Sequence, residues 1–384
     1  MARPSSQRQL SSLALDGILL VIGLGLALAI LSAAMTAHNP QPPSASVLKR
    51  LGNDPLDLPA LRDLALGATR RGRSAEADAL LSFVARRTWR DGPTEAWLFR
   101  ERLGQGRFKE AFEHADSLLR RDAEGTLRPA LFGVLSGAAA YVEARPALVA
   151  RLRPAPVWRT DFLQDMAVQG DVAGVRSVLT SLAAGPNPPS AEEYAPFITR
   201  LVKAGDYRAA LDAWTVVSRR TGPTRANAAA GTLGDLAATP DHTPFTWSAA
   251  EGVGATGDVR ASPDGSGRPA LRVDYDGFST PRLPARMLVL ETGRYRVAWR
   301  ESGDGASAGR LNWRVRCADA GQVIARAEAP PAAGGSADWL SRAMAFEVPQ
   351  TGCGGQWLEL VATPGERRDP GTAWYEGLQL IALR

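Results

Sequence analysis

The sequence predicts a multidomain protein: a single N-terminal transmembrane helix, an all-α solenoid of helical pairs, and an all-β sandwich or jelly roll. Three observations carry this. Gly17 to Met35, GILLVIGLGLALAILSAAM, holds no charged residue. Four glycines, Gly72, Gly106, Gly170 and Gly205, each lie between two helical patterns, at separations of 34, 64 and 35 residues. Beyond Thr239-Pro240 the helical period stops, and short alternating runs divided by turn residues take over.

The apolar run comes first. At about 1.5 Å rise per residue it covers roughly 30 Å, the thickness of a bilayer's hydrocarbon core. Arg3 and Arg8 precede it, whereas the next bases after it, Lys49 and Arg50, lie beyond a Pro-rich stretch. The positive-inside tendency then gives a short cytoplasmic tail (1–12), a transmembrane helix (13–37) and a linker (38–46), with the bulk of the chain periplasmic at a bacterial inner membrane. The alternative is a cleaved secretory signal, because Ser32-Ala33-Ala34 offers small residues to a peptidase. Both readings export the chain.

Residues 47–238 form the helical array. The turns read LALGATRRGRSAEADALL around Gly72, ERLGQGRFKEAFEHADSLL around Gly106, DMAVQGDVAGVRSVL around Gly170 and RLVKAGDYRAALDAW around Gly205. A glycine at a helix end takes the left-handed conformation that satisfies orphan carbonyls, and Arg or Asp then opens the next helix. The long interval between Gly106 and Gly170 predicts one degraded unit between Phe132 and Leu152, with its turn at Ala144 to Pro146. Ala75, Ala77, Ala111, Ala115, Ala209 and Ala213 are expected to let paired helices approach, with Leu80, Leu118, Leu179 and Trp214 filling the layer between pairs. Trp89, Trp97 and Trp158 are expected to pack there too. Arg70-Arg71, Arg86-Arg87, Arg120-Arg121 and Arg219-Arg220 read as solvated helix termini. In period and in the G-[RD]-x-x-x-A turn these segments resemble tetratricopeptide repeats. The resemblance implies a scaffold that holds a protein partner.

Residues 241–384 form the β domain, with eight strand-like runs: ALRVDY, RMLVLE, GRYRVAWRES, GRLNWRVRCAD, GQVIARAEA, LSRAMAFEV, QWLELVAT and AWYEGLQLIAL. Alternation puts Tyr295, Val297 and Trp299 on one face, and Leu311, Trp313, Val315 and Cys317 on another, both expected in the core. Cys317 and Cys353 are expected to pair as a disulfide in an oxidising compartment, two buried thiols being the alternative. Trp339 and Trp374, beside acids and loop residues, are the candidates for stacking on a sugar ring. Asp274 and Asp276 flank Tyr275 and are candidates for a structural calcium site, the alternative being a solvated strand face.

PFTW at 244–247, ALRVDYDG at 270–277, ETGRYRVAW at 291–299 and the closing AWYEGLQLIAL at 373–383 resemble the carbohydrate-binding β-sandwich modules that end many exported proteins. With its anchor and helical repeats, the whole chain is similar to repeat proteins of bacterial surface-polysaccharide gene clusters. The resemblance implies an accessory role in polysaccharide assembly or export, with a glycan or another subunit on the sandwich.

Charge and composition exclude other classes. Lys+Arg 45 against Asp+Glu 40 leaves a formal +5. The β domain holds 16 Arg and 17 acids, so the surplus lies earlier and makes no polybasic surface for nucleic acid. Three His and two Cys supply little for metal or nucleophile chemistry. There is no P-loop or H-E-x-x-H, and GDGASAG at 303–309 reads as a hairpin loop. The expectation is therefore a protein that is not an enzyme and needs no cofactor. A glycan-active enzyme with an appended binding module and a structural subunit of an envelope complex are the alternatives.

Overall fold

The computed structural model describes residues 45–221, 231–232, 243–248, 250, 252–304, 308–328 and 339–383. The expected cytoplasmic tail, the transmembrane helix and nearly all of the linker lie outside them. Among the described residues no helix is long and apolar enough to cross a membrane. The described chain has two parts, an all-α region of eleven helices and a C-terminal β-sandwich.

The helices are α1 (Ala45–Asn53), α2 (Leu58–Arg70), α3 (Ser74–Arg87), α4 (Gly92–Gly104), α5 (Phe108–Arg121), α6 (Arg128–Ala140), α7 (Arg145–Leu152), α8 (Arg159–Gln169), α9 (Val172–Ala183), α10 (Ala191–Lys203) and α11 (Tyr207–Thr221). Three of the four glycine turns share one construction. Gly72, Gly106 and Gly205 have φ of 74°, 71° and 78°. The residue after each donates back five positions, Arg73 N to Ala68 O, Arg107 N to Arg102 O and Asp206 N to Leu201 O, which is the Schellman closure.

Gly170 departs from the pattern. Its backbone is extended, at φ −72° and ψ 165°, and Asp171 caps α9 by accepting from Gly174 N at 2.7 Å. Glycine is used there for space, since a Cβ would come within 2.7 Å of Met166 O. The degraded unit is present as the α6–α7 pair, with Ala144 at the N-cap of α7. Gly174 lets α9 close on α6, because a Cβ there would come within 2.9 Å of Ala139 O.

Ala77, Ala111, Ala115, Leu118, Leu179 and Trp214 are buried as expected. Ala75 is exposed and Leu80 only half-buried, whereas Leu81 is fully buried, so the inward face of α3 runs through Ala77, Leu81 and Val84. On α11 the buried alanine is Ala210, not its neighbours Ala209 and Ala213. Trp97 and Trp158 are core residues; Trp89 is 52% exposed.

The chain divides into two compact units, Met1–Pro188 and Pro189–Arg384. The α10–α11 pair thus groups with the sandwich, whereas composition placed the boundary at 238–241. Its contacts give the reason. The Tyr207 ring lies against Gly354 and Gly355, the Trp214 ring is 5.6 Å from that of Phe245, and Arg208 is 3.5 Å from Glu291.

The strands are β1 (Gly231–Thr232), β2 (Ala255–Ala261), β3 (Pro269–Tyr275), β4 (Ala285–Leu288), β5 (Gly293–Asp304), β6 (Leu311–Cys317), β7 (Val323–Arg326), β8 (Leu340–Val348), β9 (Gln356–Ala362) and β10 (Gly371–Leu383). All pairings are antiparallel. One sheet runs β2-β3-β10-β5-β8, with β1 also on β10, and the other runs β4-β9-β6-β7. All eight expected runs are strands. β2, ATGDVRA, was hidden by its glycine and charges, which suit the edge strand it is.

The inner faces make one core, in which Trp313 packs edge-on against Trp247 and Tyr375, each at 5.6 Å. Such aromatic pairs contribute about 0.5–1.5 kcal/mol each beyond their burial. Cys317 and Cys353 form a disulfide that ties the end of β6 to the turn before β9. Beside it Gln356, wholly buried, donates to Cys353 O at 2.6 Å and accepts from Leu290 N at 2.9 Å. Each polar atom it buries thereby finds a partner.

Candidate functional site

The outward face of the β2-β3-β10-β5-β8 sheet gathers aromatic and charged side chains. Along β10, Ala373 and Tyr375 point inward, so Thr372, Trp374 and Glu376 point outward. Trp374 pairs with Arg272 of β3 on one side and with Ser302 of β5 on the other. In β8, Leu340 pairs with Glu301, so Trp339, the residue before it, comes level with Ser302. One lateral row therefore reads Arg272, Trp374, Ser302, Trp339. With strands about 4.8 Å apart, the two tryptophans stand roughly 10 Å apart with a small hydroxyl between them.

Charge is held in place around the row. The Arg300 guanidinium lies over Trp339 at 5.1 Å and that of Arg272 over Trp374 at 5.9 Å. Arg300 also bonds Oε1 of Glu376, which is 3% exposed and is met by Arg268 at 3.0 Å. Arg272 donates to Asp274 at 2.8 Å, and Thr372 donates to the same carboxylate oxygen at 2.6 Å. A guanidinium over a ring contributes about 0.5–1 kcal/mol at an exposed site, and here it fixes the ring plane as well. Both rings are half-buried.

The structure thus brings Trp339 and Trp374 into one row. It places Asp274 and Asp276 differently. Asp274 is on the outward face, held by Arg272 and Thr372. Asp276 lies beyond the end of β3 and accepts from Phe278 N, Ser279 N and Ser279 Oγ at 2.8–3.0 Å. Those backbone donors hold its carboxyl below the ordinary range. Among the described residues no group of three or more His, Cys, Asp or Glu gathers as a metal site would need. Reading the sequence for tryptophans alone missed Ser302, Arg300, Arg272 and Glu376. The signal was available in the alternation of β5, where Arg300 and Ser302 are out of phase with the inward Val297 and Trp299.

No family model matches the chain, and no curated protein matches it. Among solved structures, a putative sugar binding protein from Bacteroides thetaiotaomicron is similar at 12% identity and a TM-score of 0.27, over 38% of this chain and 91% of that one. The CBM22-1 xylan-binding domain of Paenibacillus barcinonensis Xyn10C matches at 14% identity and 0.27, over 40% and 93%. A carbohydrate-binding module from Cellvibrio mixtus lichenase 5A, in complex with cellotriose, matches at 14% and 0.21, over 35% and 92%. At these values the likeness assigns no function to this chain.

Proposed function

We propose that the chain is an exported, membrane-anchored binding protein without catalytic machinery, whose sandwich takes a glycan on the face of Trp339 and Trp374. The observation that carries this is the row Trp374–Ser302–Trp339. Two flat rings on one sheet face, divided by a small polar residue, give an extended sugar chain two stacking surfaces and a hydroxyl to bond between them. The flanking Arg272, Asp274 and Thr372 supply further donors and acceptors. The helical pairs serve a protein partner, as their resemblance to tetratricopeptide repeats implies, and the assembly acts as an accessory factor in surface-polysaccharide assembly or export. The disulfide supports an oxidising compartment outside the cytoplasm. The charge-free run at Gly17 to Met35 supports the anchor.

The test uses the full chain in detergent micelles on a glycan array, beside the Trp339→Ala/Trp374→Ala variant. Binding to a polysaccharide that the double variant loses, with its far-UV circular dichroism unchanged, is the expected result. Equal binding by both proteins would remove this face from the reading. Turnover of a bound glycan would remove the claim that the protein is not an enzyme.

A further inference from the structure

The other outward face of the sandwich, on β4-β9-β6-β7, differs in charge. Glu359 of β9 pairs with Arg314 of β6, and Arg314 pairs on its far side with Arg326 of β7. One strand step along, Trp357 pairs with Arg316. These residues share the outward face, because their neighbours Val315, Leu358 and Leu360 are buried in the core. Arg314 and Arg316 both donate through Nε to the same oxygen, Oε1 of Glu359, at 2.6 and 2.8 Å. Arg326 is exposed and forms no ion pair among the described residues. Three guanidiniums thus face one carboxylate.

This is costly to the fold. Like charges directly opposite on paired strands destabilise a sheet, and Arg314 opposes Arg326 across the antiparallel β6–β7 pair, just before its register shifts between Val315 and Arg316. On the first face, by contrast, Arg272 is set against Asp274, Arg300 against Glu376, and Arg268 against Asp264 and Glu376. Those three arginines are each met by an acid, whereas Arg296 of β5, exposed on the same face, lies opposite Ala345 and Ile381. A sheet that keeps a repulsive pair where a neutral or acidic residue would serve stability better is breaking a local rule, and such breaks concentrate where a ligand supplies the missing partner. The Nε atoms are used on Glu359, which leaves the forked guanidinium ends of Arg314 and Arg316 for an anion. Trp357 lies beside them, with Arg316 at 5.8 Å from its ring, so an aromatic platform adjoins the positive cluster.

We infer that the β4-β9-β6-β7 face is a second binding face, for an acidic polysaccharide whose carboxylates meet Arg314, Arg316 and Arg326 while a sugar ring lies on Trp357. The segment 243–248 runs along the free edge of β4, with Met287 N donating to Pro244 O and Ser248 N to Ala285 O, so the edge is closed and the face itself is what remains. This site uses no residue of the Trp339–Trp374 row and stands whether or not that row binds.

The full chain in detergent is titrated with polygalacturonate, and with neutral dextran of matched length, at rising salt. Expected is binding of polygalacturonate that weakens as salt rises, with dextran failing to compete for this face. Arg326→Glu is the decisive variant. It turns a repulsive cross-strand pair into an attractive one, so its thermal midpoint should stay level or rise, yet it should lose polygalacturonate affinity by about tenfold or more. Arg326→Lys, which keeps the charge, should retain most of it. The inference is overturned if the native chain does not bind polygalacturonate, or if Arg326→Glu and Arg314→Ala bind it as tightly as the native chain does.

Discussion

Tyr207 of α11 lies against the backbone of Gly355, so closely that a Cβ on Gly355 would meet the ring at 2.8 Å. The contact joins the first residue of a helix to the turn that carries Cys353, and it is made possible only by the missing side chain. Asp319 holds the same turn by accepting from Gly354 N at 2.8 Å, and it is also the hydrogen-bond partner of the Tyr207 hydroxyl. Burial and that carboxylate push the Tyr207 phenol up to about 12. Gly355→Ala should therefore cost about 1–3 kcal/mol, the range for overpacking a well-filled site. Urea unfolding of the variant gives the number. An unchanged midpoint would mean that Tyr207 is not seated as described.

The disulfide should matter to the same corner. Cys317 and Cys353 are 36 residues apart in sequence, and closing a loop of that size stabilises by roughly 3–4 kcal/mol in the chain-entropy account. The Cys317→Ser/Cys353→Ser variant should unfold at lower temperature than the native chain. Adding reductant should lower the native midpoint toward that of the variant and leave the variant where it is. A reductant effect of equal size on both would mean that the bridge is not what reductant acts on.

Glu301 predicts a pH dependence. Its side chain points inward at one end of the sandwich, where Trp299 Nε1 donates to it at 2.7 Å and Arg342 lies 3.3 Å away. Desolvation pushes its carboxyl up, and those two partners offset the shift only in part. A carboxyl whose folded pKa exceeds its unfolded one binds more protons folded than unfolded between the two values. Stability is then fully kept below the ordinary glutamate range and falls as pH rises from there through the raised value. Glu301→Gln keeps an oxygen for Trp299 and removes the titration. The difference in thermal midpoint between native and variant should therefore shift in the variant's favour as pH rises through that window. Parallel profiles would assign the slope to other groups.

The sandwich was legible because its inward residues alternate strictly. Leu311, Trp313, Val315 and Cys317 needed no tertiary information to be placed in the core. The Schellman turns were legible for a similar reason, since Gly72, Gly106 and Gly205 answer a purely local need for positive φ. Gly170 did not follow, because its glycine serves a neighbour's carbonyl rather than its own dihedral, and sequence does not separate the two uses. The grouping of α10 and α11 with the sandwich depends on Tyr207, Trp214 and Arg208, whose partners are 83 to 148 positions away or lie past a composition break. Trp339 and Trp374 were readable as candidates one at a time. Their meeting across Ser302 required the order β10-β5-β8, which no local pattern encodes.

That meeting makes a graded prediction for the first face. If each ring stacks on a sugar, Trp374→Ala removes one platform, and loss of a central aromatic contact costs about 2 kcal/mol, roughly 30-fold in affinity. Trp374→Phe keeps a flat ring over the same spot and should recover part of it. Ser302→Val tests the space between. It removes the hydroxyl and adds a branched side chain to a residue 8% exposed, so it should weaken binding while both rings remain. Titration of the four proteins with the polysaccharide selected on the array should rank them native, Trp374→Phe, Ser302→Val, Trp374→Ala. Should Trp374→Phe bind as weakly as Trp374→Ala while Ser302→Val matches the native chain, the rings would be acting as packing against Arg272 and Arg300, and the row would not be a sugar platform.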